Sequence, residues 1–326
     1  MAPRRGRRDR ARRVAVAGIG VVVNPHAGMN RRERPRAGRF ASILGSDGVV
    51  RETGSVDHID AVVQEFRERE IDVLAICGGD GSFFHTLSSL VRCYGGRDLP
   101  LFLPLRAGSM NTIARSVGCR HGTPERVLTH AASDYRLGRP FETTERHLLG
   151  VDGRYFGFTF GAGIIVSFLR LYYRGPHLGP WAAATLLTRV GLSGITRTSL
   201  ARGLLQHSEA DIDCDGERVP HRRFNFIFAS TIRDIGLGIK VAYLATRKRG
   251  YFHLVAGIVR IRDLVIGLRR LRQGWPLDSP LLYDNLAQRV RVEFPRPTHY
   301  MIDGDVLDAV TAVEVVTGPR LTIIQK

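Results

Sequence analysis

The sequence predicts an α/β fold in two parts: a doubly wound parallel sheet over residues 14–140, then a β-rich half, with a cleft between them. Up to about residue 135, short apolar runs alternate with stretches of helical spacing, the rhythm of a parallel sheet with helical crossovers. From about residue 141 the apolar runs become short and alternating. In addition, apolar runs at residues 14–23, 71–76 and 99–105 each lead into a glycine-bearing turn. Several strands ending at one edge place a ligand there, as in open α/β sheets.

The elements follow in order. Residues 14–23 read as the first strand, 32–44 as a basic helix, 49–53 as a short strand and 56–69 as a helix. Residues 71–76 are short, apolar and rich in β-branched side chains, the mark of a buried strand. After the turn at Cys77 to Ser82, Phe83, Thr86, Leu87 and Leu90 recur at helical spacing. A strand at 99–105 and helices at 110–117 and 124–132 complete the first half. Strands at 147–151, 155–161, 210–214, 224–230, 250–255 and 290–294 make up the second.

Two helix-like insertions interrupt the second half, at 181–192 and 257–272. In the latter, Ile261, Leu264, Val265, Leu268 and Leu271 share a face flanked by Arg260, Arg262, Arg269 and Arg270. From Lys240 to Trp275 there are nine Lys or Arg and one acid, Asp263. Such a helix either turns its stripe into a core or lies at a lipid interface.

The chemistry starts at Gly78-Gly79-Asp80-Gly81-Ser82. Glycines let a backbone approach a polyphosphate, and the start of the next helix offers unpaired N–H groups. Asp80 would repel phosphates unless a cation lies between them, which points to a Mg²⁺–nucleotide. The chain holds no Gly-x-x-x-x-Gly-Lys-Ser/Thr loop. The other strand-to-turn corners are Asn24-Pro25-His26-Ala27-Gly28 and Arg106-Ala107-Gly108-Ser109-Met110-Asn111-Thr112; downstream comes Asp303-Gly304-Asp305.

With these residues the chain resembles the catalytic domain of the diacylglycerol kinase family, which includes bacterial lipid kinases and sphingosine and ceramide kinases. The matching pieces are Asn24-Pro25-x-x-Gly28, Thr53, Gly78 to Ser82, Gly108-Ser109-x-Asn111, Gly161-x-Gly163, Gly236-x-Gly238 and Asp303-Gly304-Asp305, in the family's order. The resemblance implies a β-sandwich-like second domain over 141–310 and a strand at 311–326 able to return to the first. It implies an ATP-dependent lipid kinase acting on a hydroxyl of diacylglycerol or a sphingoid or ceramide-like lipid. Asn24, Pro25, Gly28, Thr53, Gly78, Gly79, Asp80, Gly81, Ser82, Gly108, Ser109 and Asn111 would cradle ATP. Asp80 would engage Mg²⁺ through water, Asp305 would be the general base, and Asp303 would shape the same turn.

The chain departs from the family in four places. Ser82 stands for Thr, Phe84-His85 for Asn-Glu, and Asp305 for Glu. Where bacterial members carry an Asp-Asp-Gly tied to a structural Mg²⁺, this chain reads Tyr243-Leu244-Ala245-Thr246-Arg247-Lys248-Arg249-Gly250. Cations cannot ligate Mg²⁺, so that metal site is not carried over.

Composition sets the remaining bounds. At 326 residues and 44% hydrophobic, the chain can bury full cores. Four cysteines without metal-like spacing read as reduced thiols of a cytoplasmic protein. The net charge is +17, and residues 1–13 contribute seven arginines and one aspartate as a basic, disordered tail. No run approaches the roughly 20 apolar residues of a membrane span. These features suggest peripheral contact with the anionic inner face of a membrane. Without an RNA- or DNA-binding motif, nucleic acid is disfavoured as a partner; a homodimer is compatible with the sequence. Two other readings stand beside the lipid kinase: an NAD-kinase-like small-molecule kinase, and a degenerate kinase fold binding lipid or nucleic acid.

Overall fold

Both faces of the strands at 19–23, 73–78 and 101–106 are apolar, so helices must cover each of them. The computed structural model describes residues 18–30, 36–119, 121–175, 178–195, 207–277 and 279–325. The basic tail, residues 14–17 of the first expected strand and 32–35 of the first expected helix lie outside them. Strands β1 (Ile19–Val23), β2 (Gly48–Glu52), β3 (Val73–Gly78) and β4 (Leu101–Arg106) pair in parallel in the order β2-β1-β3-β4. Val21, Val23, Ala75 and Cys77 face one layer, with Phe40 of α1 (Arg36–Leu44). Val22, Leu74 and Ile76 face the other, with Val63 of α2 (Val56–Glu68) and Leu87 of α3 (Asp80–Tyr94). Helices α4 (Thr112–Ser116) and α5 (Pro124–Arg136) follow β4, and Leu128 of α5 joins the α1 layer. This period-two division is why the strands read as continuous apolar runs.

The sheet does not stop at β4. Strand β18 (Val310–Ile324) lies parallel to β4 through Ile323 and Phe102, and antiparallel to β5 (Thr143–Val151) and β15 (Arg289–Thr298). Strands β9 (Asp211–Cys214) and β10 (Glu217–Arg218) extend it beyond β15, and β6 (Tyr155–Gly157) pairs β5. A second, antiparallel sheet runs β14-β13-β12-β7-β16-β17. Its strands are β7 (Thr159–Gly163), β12 (Phe226–Ser230), β13 (Phe252–Gly257), β14 (Leu282–Ala287), β16 (Tyr300–Ile302) and β17 (Asp305–Val306). A small ribbon joins β8 (Ser208–Glu209) to β11 (Arg223–Phe224). Mixed α/β architecture with a parallel-containing first sheet and an antiparallel, β-rich second half is thus as the sequence predicts.

Between the two sheets, Val151, Ile212, Val292 and Val315 pack against Phe160, Ile227 and Leu254. Phe84 of α3 enters this core while its neighbour Phe83 enters the core of the parallel sheet. One helix turn therefore ties the two halves together. The outer face of the antiparallel sheet is covered by three helices, α6 (Ile164–Arg174), α7 (Pro180–Ile195) and α8 (Ile261–Gln273). The insertions at 181–192 and 257–272 correspond to α7 and α8. Helix α6 was not expected, because Gly163-Ile164-Ile165-Val166 reads locally as a strand.

At Gly163 the chain turns from β7 into α6 with φ of 78°, and a Cβ there would fall 2.1 Å from the Asn225 carbonyl oxygen. Both the left-handed backbone and the contact require glycine. Gly163→Ala is expected to cost about 2 kcal/mol or more, read as a lowered melting temperature. An unchanged melting temperature would show that the corner relaxes freely.

Candidate active site at the sheet edge

Strands β1, β3 and β4 end side by side, and short backbone bonds stitch their turns into one surface. Asn24 N–H donates to Cys77 O (3.0 Å), Ala107 N–H to Gly78 O (3.0 Å), Met29 N–H to Ala107 O (2.9 Å) and Thr53 N–H to Val23 O (2.9 Å). Asn24 accepts from His26 N–H (2.8 Å) through Oδ1 and donates to Ser82 Oγ (2.9 Å) through Nδ2. Gly79 and Gly108 lie back to back: a Cβ on Gly108 would sit 2.3 Å from Gly79 Cα. Asn111, at φ of 51°, closes its turn by two bonds with the Gly108 backbone (2.9 and 2.8 Å). Helix α3 begins at Asp80 with Gly79 as its uncapped N-terminal neighbour, so its first N–H groups open toward the cleft.

Three carboxylates converge on this edge, each held differently. Both oxygens of Asp80 accept backbone N–H bonds, from Thr112 and Ile113, at 3.0 Å each. Burial raises its pKa, those bonds oppose the rise, and the charge of Asp305 adds to it. Asp303 is 6% exposed, sits at φ of 49°, and accepts from Phe158 N–H, Thr159 N–H and Thr159 Oγ1. Burial pushes its carboxyl up to about 7 against those donors, with Asp80 nearby adding to the rise. Asp305 lies 3.1 Å from His85 Nε2 and rests over Gly81, where a Cβ would come within 2.9 Å of its Oδ2. Tyr173 of α6 donates to Gly304 O (3.1 Å), and burial together with the charge of Asp305 raises its hydroxyl pKa.

These groups line one end of a cavity of about 1440 Å³. Of the sequence-predicted residues, Asn24, Gly28, Thr53, Gly79, Asp80, Gly81, Ser82, Gly108, Ser109, Asp303 and Asp305 reach it. Pro25, Gly78 and Asn111 do not line it. Pro25 and Asn111 belong to the turns, and Gly78 ends β3 where a Cβ would meet Ser82 Oγ at 2.3 Å. The other end is apolar, walled by Phe168 and Leu169 of α6, Leu187 of α7, Leu268 of α8 and Phe226 and Phe228 of β12. On α8, Leu264, Val265, Leu268 and Leu271 line the cavity; Leu271 is buried, while Val265 is also 48% exposed. His85, Thr159 and Tyr173 also belong to the site and were not singled out from sequence as binding or catalytic groups. His85 follows Gly81 by four residues on α3, a spacing that places it on the same face; for Thr159 and Tyr173 no sequence signal exists.

The donor set can be tested against a metal–nucleotide. Among the described residues, no group of three or more His, Cys, Asp or Glu side chains could hold a metal ion. The cavity lining contains His26, His85 and Arg272 as its basic side chains among the described residues. A fully protein-coordinated metal does not fit. Mg²⁺ held by a carboxylate, phosphate oxygens and water does fit, because that ion keeps most of its waters.

Residues 18–137 match the model of the diacylglycerol kinase catalytic domain. This segment contains every turn of the glycine corner and leaves Asp303 and Asp305 outside it. Among solved structures, a diacylglycerol kinase from Bacillus anthracis Sterne is 14% identical, with 96% of this chain and 98% of that chain covered and a TM-score of 0.62. Two further structures from that organism carry the same designation provisionally. They are 15% and 13% identical, cover 96% of this chain and 99% of each of theirs, and have TM-scores of 0.66 and 0.63. At such identities the likeness is one of fold, and it extends through both halves. No curated protein matches the chain.

The Asp303 carboxyl gives a pH test of this geometry. A carboxyl held near 7 when folded, against about 3.9 unfolded, takes up a proton on folding. Its stability contribution is complete below the unfolded value and is lost as pH rises through about 7. Between pH 5 and 8 the wild-type melting temperature should therefore fall relative to that of Asp303→Asn. Parallel curves would remove Asp303 as the titrating group.

Proposed function

We propose that the chain is a lipid kinase that transfers the terminal phosphoryl group of ATP, bound with Mg²⁺, to a hydroxyl of diacylglycerol or a sphingoid or ceramide-like lipid. One observation carries this reading: a single cavity is lined both by the glycine corner with Asp80 and Asp305 and by the apolar side chains of α6, α7, α8 and β12. The Asn24–Gly28 turn, Thr53, Ser109 and the Gly79–Ser82 start of α3 would hold the nucleotide by close backbone approach. Asp80 would orient the metal through water, which explains why an acid is tolerated beside phosphates. The acceptor hydroxyl would form its bond to the terminal phosphorus as the bond from that phosphorus to the bridging oxygen breaks. Its proton would pass to Asp305, and the nucleoside diphosphate would leave.

The family resemblance over residues 18–137 favours this reading over a basic binding protein, which has no use for three converging carboxylates. The experiment is phosphoryl transfer from Mg²⁺–ATP to a panel of diacylglycerol, sphingoid and ceramide acceptors. Asp305→Asn should lower kcat by about 10²-fold or more while leaving ATP affinity nearly unchanged. Lost ATP binding with kcat retained would make Asp305 a turn residue and place the base elsewhere.

Access to the lipid would come from an anionic membrane surface on the cytoplasmic side. No described helix is long and apolar enough to cross a membrane. Trp181, Ile266 and Trp275 on or beside α7 and α8 are 87, 79 and 56% exposed. The Lys240–Trp275 stretch that carries the latter two also holds nine Lys or Arg and one acid, and a cation near such a surface contributes about 1 kcal/mol. Co-sedimentation should require anionic vesicles, weaken with salt, and fall in Trp181→Ala and Ile266→Ala. Equal binding to neutral vesicles would refute it.

A further inference from the structure

The glycine corner carries a residue that the phosphoryl-transfer reading does not use. His85 stands one turn beyond Gly81 on α3 and points into the same cleft. Its Nε2 lies 3.1 Å from Asp305 Oδ2, and both side chains are about one-third exposed, at 31 and 34%. A carboxylate accepts only, so in any bond between the two the donor is the Nε2–H of His85. Building on the lipid-kinase reading, we propose that His85 is the positioning residue of Asp305: it ties one carboxylate oxygen so that the other faces the acceptor hydroxyl.

The surroundings make that role specific. Asp305 is the first residue of a two-residue strand, β17, and its carboxylate extends over Gly81, where the absence of a side chain leaves room. The charge of Asp80 acts against that of Asp305, and both Asp80 and Asp303 have their oxygens engaged by backbone N–H groups. Tyr173, facing it from α6, spends its hydroxyl on Gly304 O. Among the described residues, His85 is thus the basic side chain at ion-pair distance from Asp305.

The donor is itself anchored. The His85 ring lies 4.6 Å from that of Phe84, which is fully buried in the core between the two sheets. Rotation of α3 is fixed by Phe83 and Phe84 in two different cores, so the imidazole is delivered to the cleft by packing. In the transfer step, the hydroxyl proton goes to the free oxygen of Asp305 while His85 keeps its own. What His85 supplies is one rotamer of a short acid, and misplacing a reacting group by about 1 Å can cost about 10²-fold in rate.

The test compares the full chain with His85→Ala and His85→Gln, using Mg²⁺–ATP and the best acceptor of the panel above. His85→Ala should lose about 10- to 100-fold in kcat, with KM for both substrates near wild type. His85→Gln, whose amide can still donate, should recover much of it. Independently of turnover, ¹⁵N-labelled imidazole in the substrate-free protein should show an exchange-protected Nε2–H resonance that is lost in Asp305→Ala. A wild-type protein that phosphorylates no acceptor overturns the kinase reading and this inference with it. An active wild type whose His85→Ala variant keeps its kcat, or loses only KM, overturns this inference alone. So does an Nε2–H signal indifferent to Asp305.

Discussion

The contact between Gly79 and Gly108 is the constraint on which the site depends. Two strand-to-helix turns meet backbone against backbone, and a Cβ on Gly108 would fall 2.3 Å from the Gly79 Cα and separate them. Their closeness sets where α3 and α4 begin. It also brings Asp80, the first residue of α3, onto the first N–H groups of α4. Asn111 in its left-handed conformation seals the second turn from within. The result is a rigid edge built largely of main chain, suited to a ligand that is read by charge and shape more than by side-chain contacts.

The three acids divide their work by what holds them. Asp80 and Asp303 are bonded to backbone donors from separate elements, so they fix the relative placement of α3, α4, β7 and the 303–305 turn. Such acids resist movement because losing either carboxylate would strand several N–H groups. Among the described residues, Asp305 has His85 at ion-pair distance, and its side chain is about one-third exposed. The charges of Asp80 and Asp305 oppose each other, while Asp303, pushed up to about 7, carries its charge only in part near neutral pH. A cation between Asp80 and Asp305 would relieve that repulsion.

Much of this was legible in the sequence, and the rest was hidden for identifiable reasons. Strands β1, β3 and β4 are apolar on both faces and lead into glycine-bearing turns, so both their existence and their shared edge could be read from composition and spacing. The glycine turns likewise announce themselves, because close backbone approach leaves no alternative residue. Helix α6 did not, since Ile164, Ile165 and Val166 favour a strand locally and become helical only by packing on β16 and β12. The inward stripe of α8 could not be told from an interfacial one, because both have the same period. His85 was visible only as a departure from a pattern; its partner lies far along the chain, and a pairing at that range has no local signature.

Strand β18 has a consequence for how the molecule is made. Ile323 and Ile324 fill the two cores on either side of the parallel sheet, and Gln325 donates to Val117 O at 2.6 Å. Cys119, just beyond α4, meets Ile324 across 205 residues of chain. At about 5–20 residues per second of synthesis, that separation is roughly 10–40 s. Through that interval β4 is an unpaired sheet edge beside unfilled cores, the kind of surface that binds chaperones or aggregates. The glycine corner can thus be translated early yet acquire its supporting sheet late, so a ribosome-bound chain carries the glycine turns before it can hold them in place.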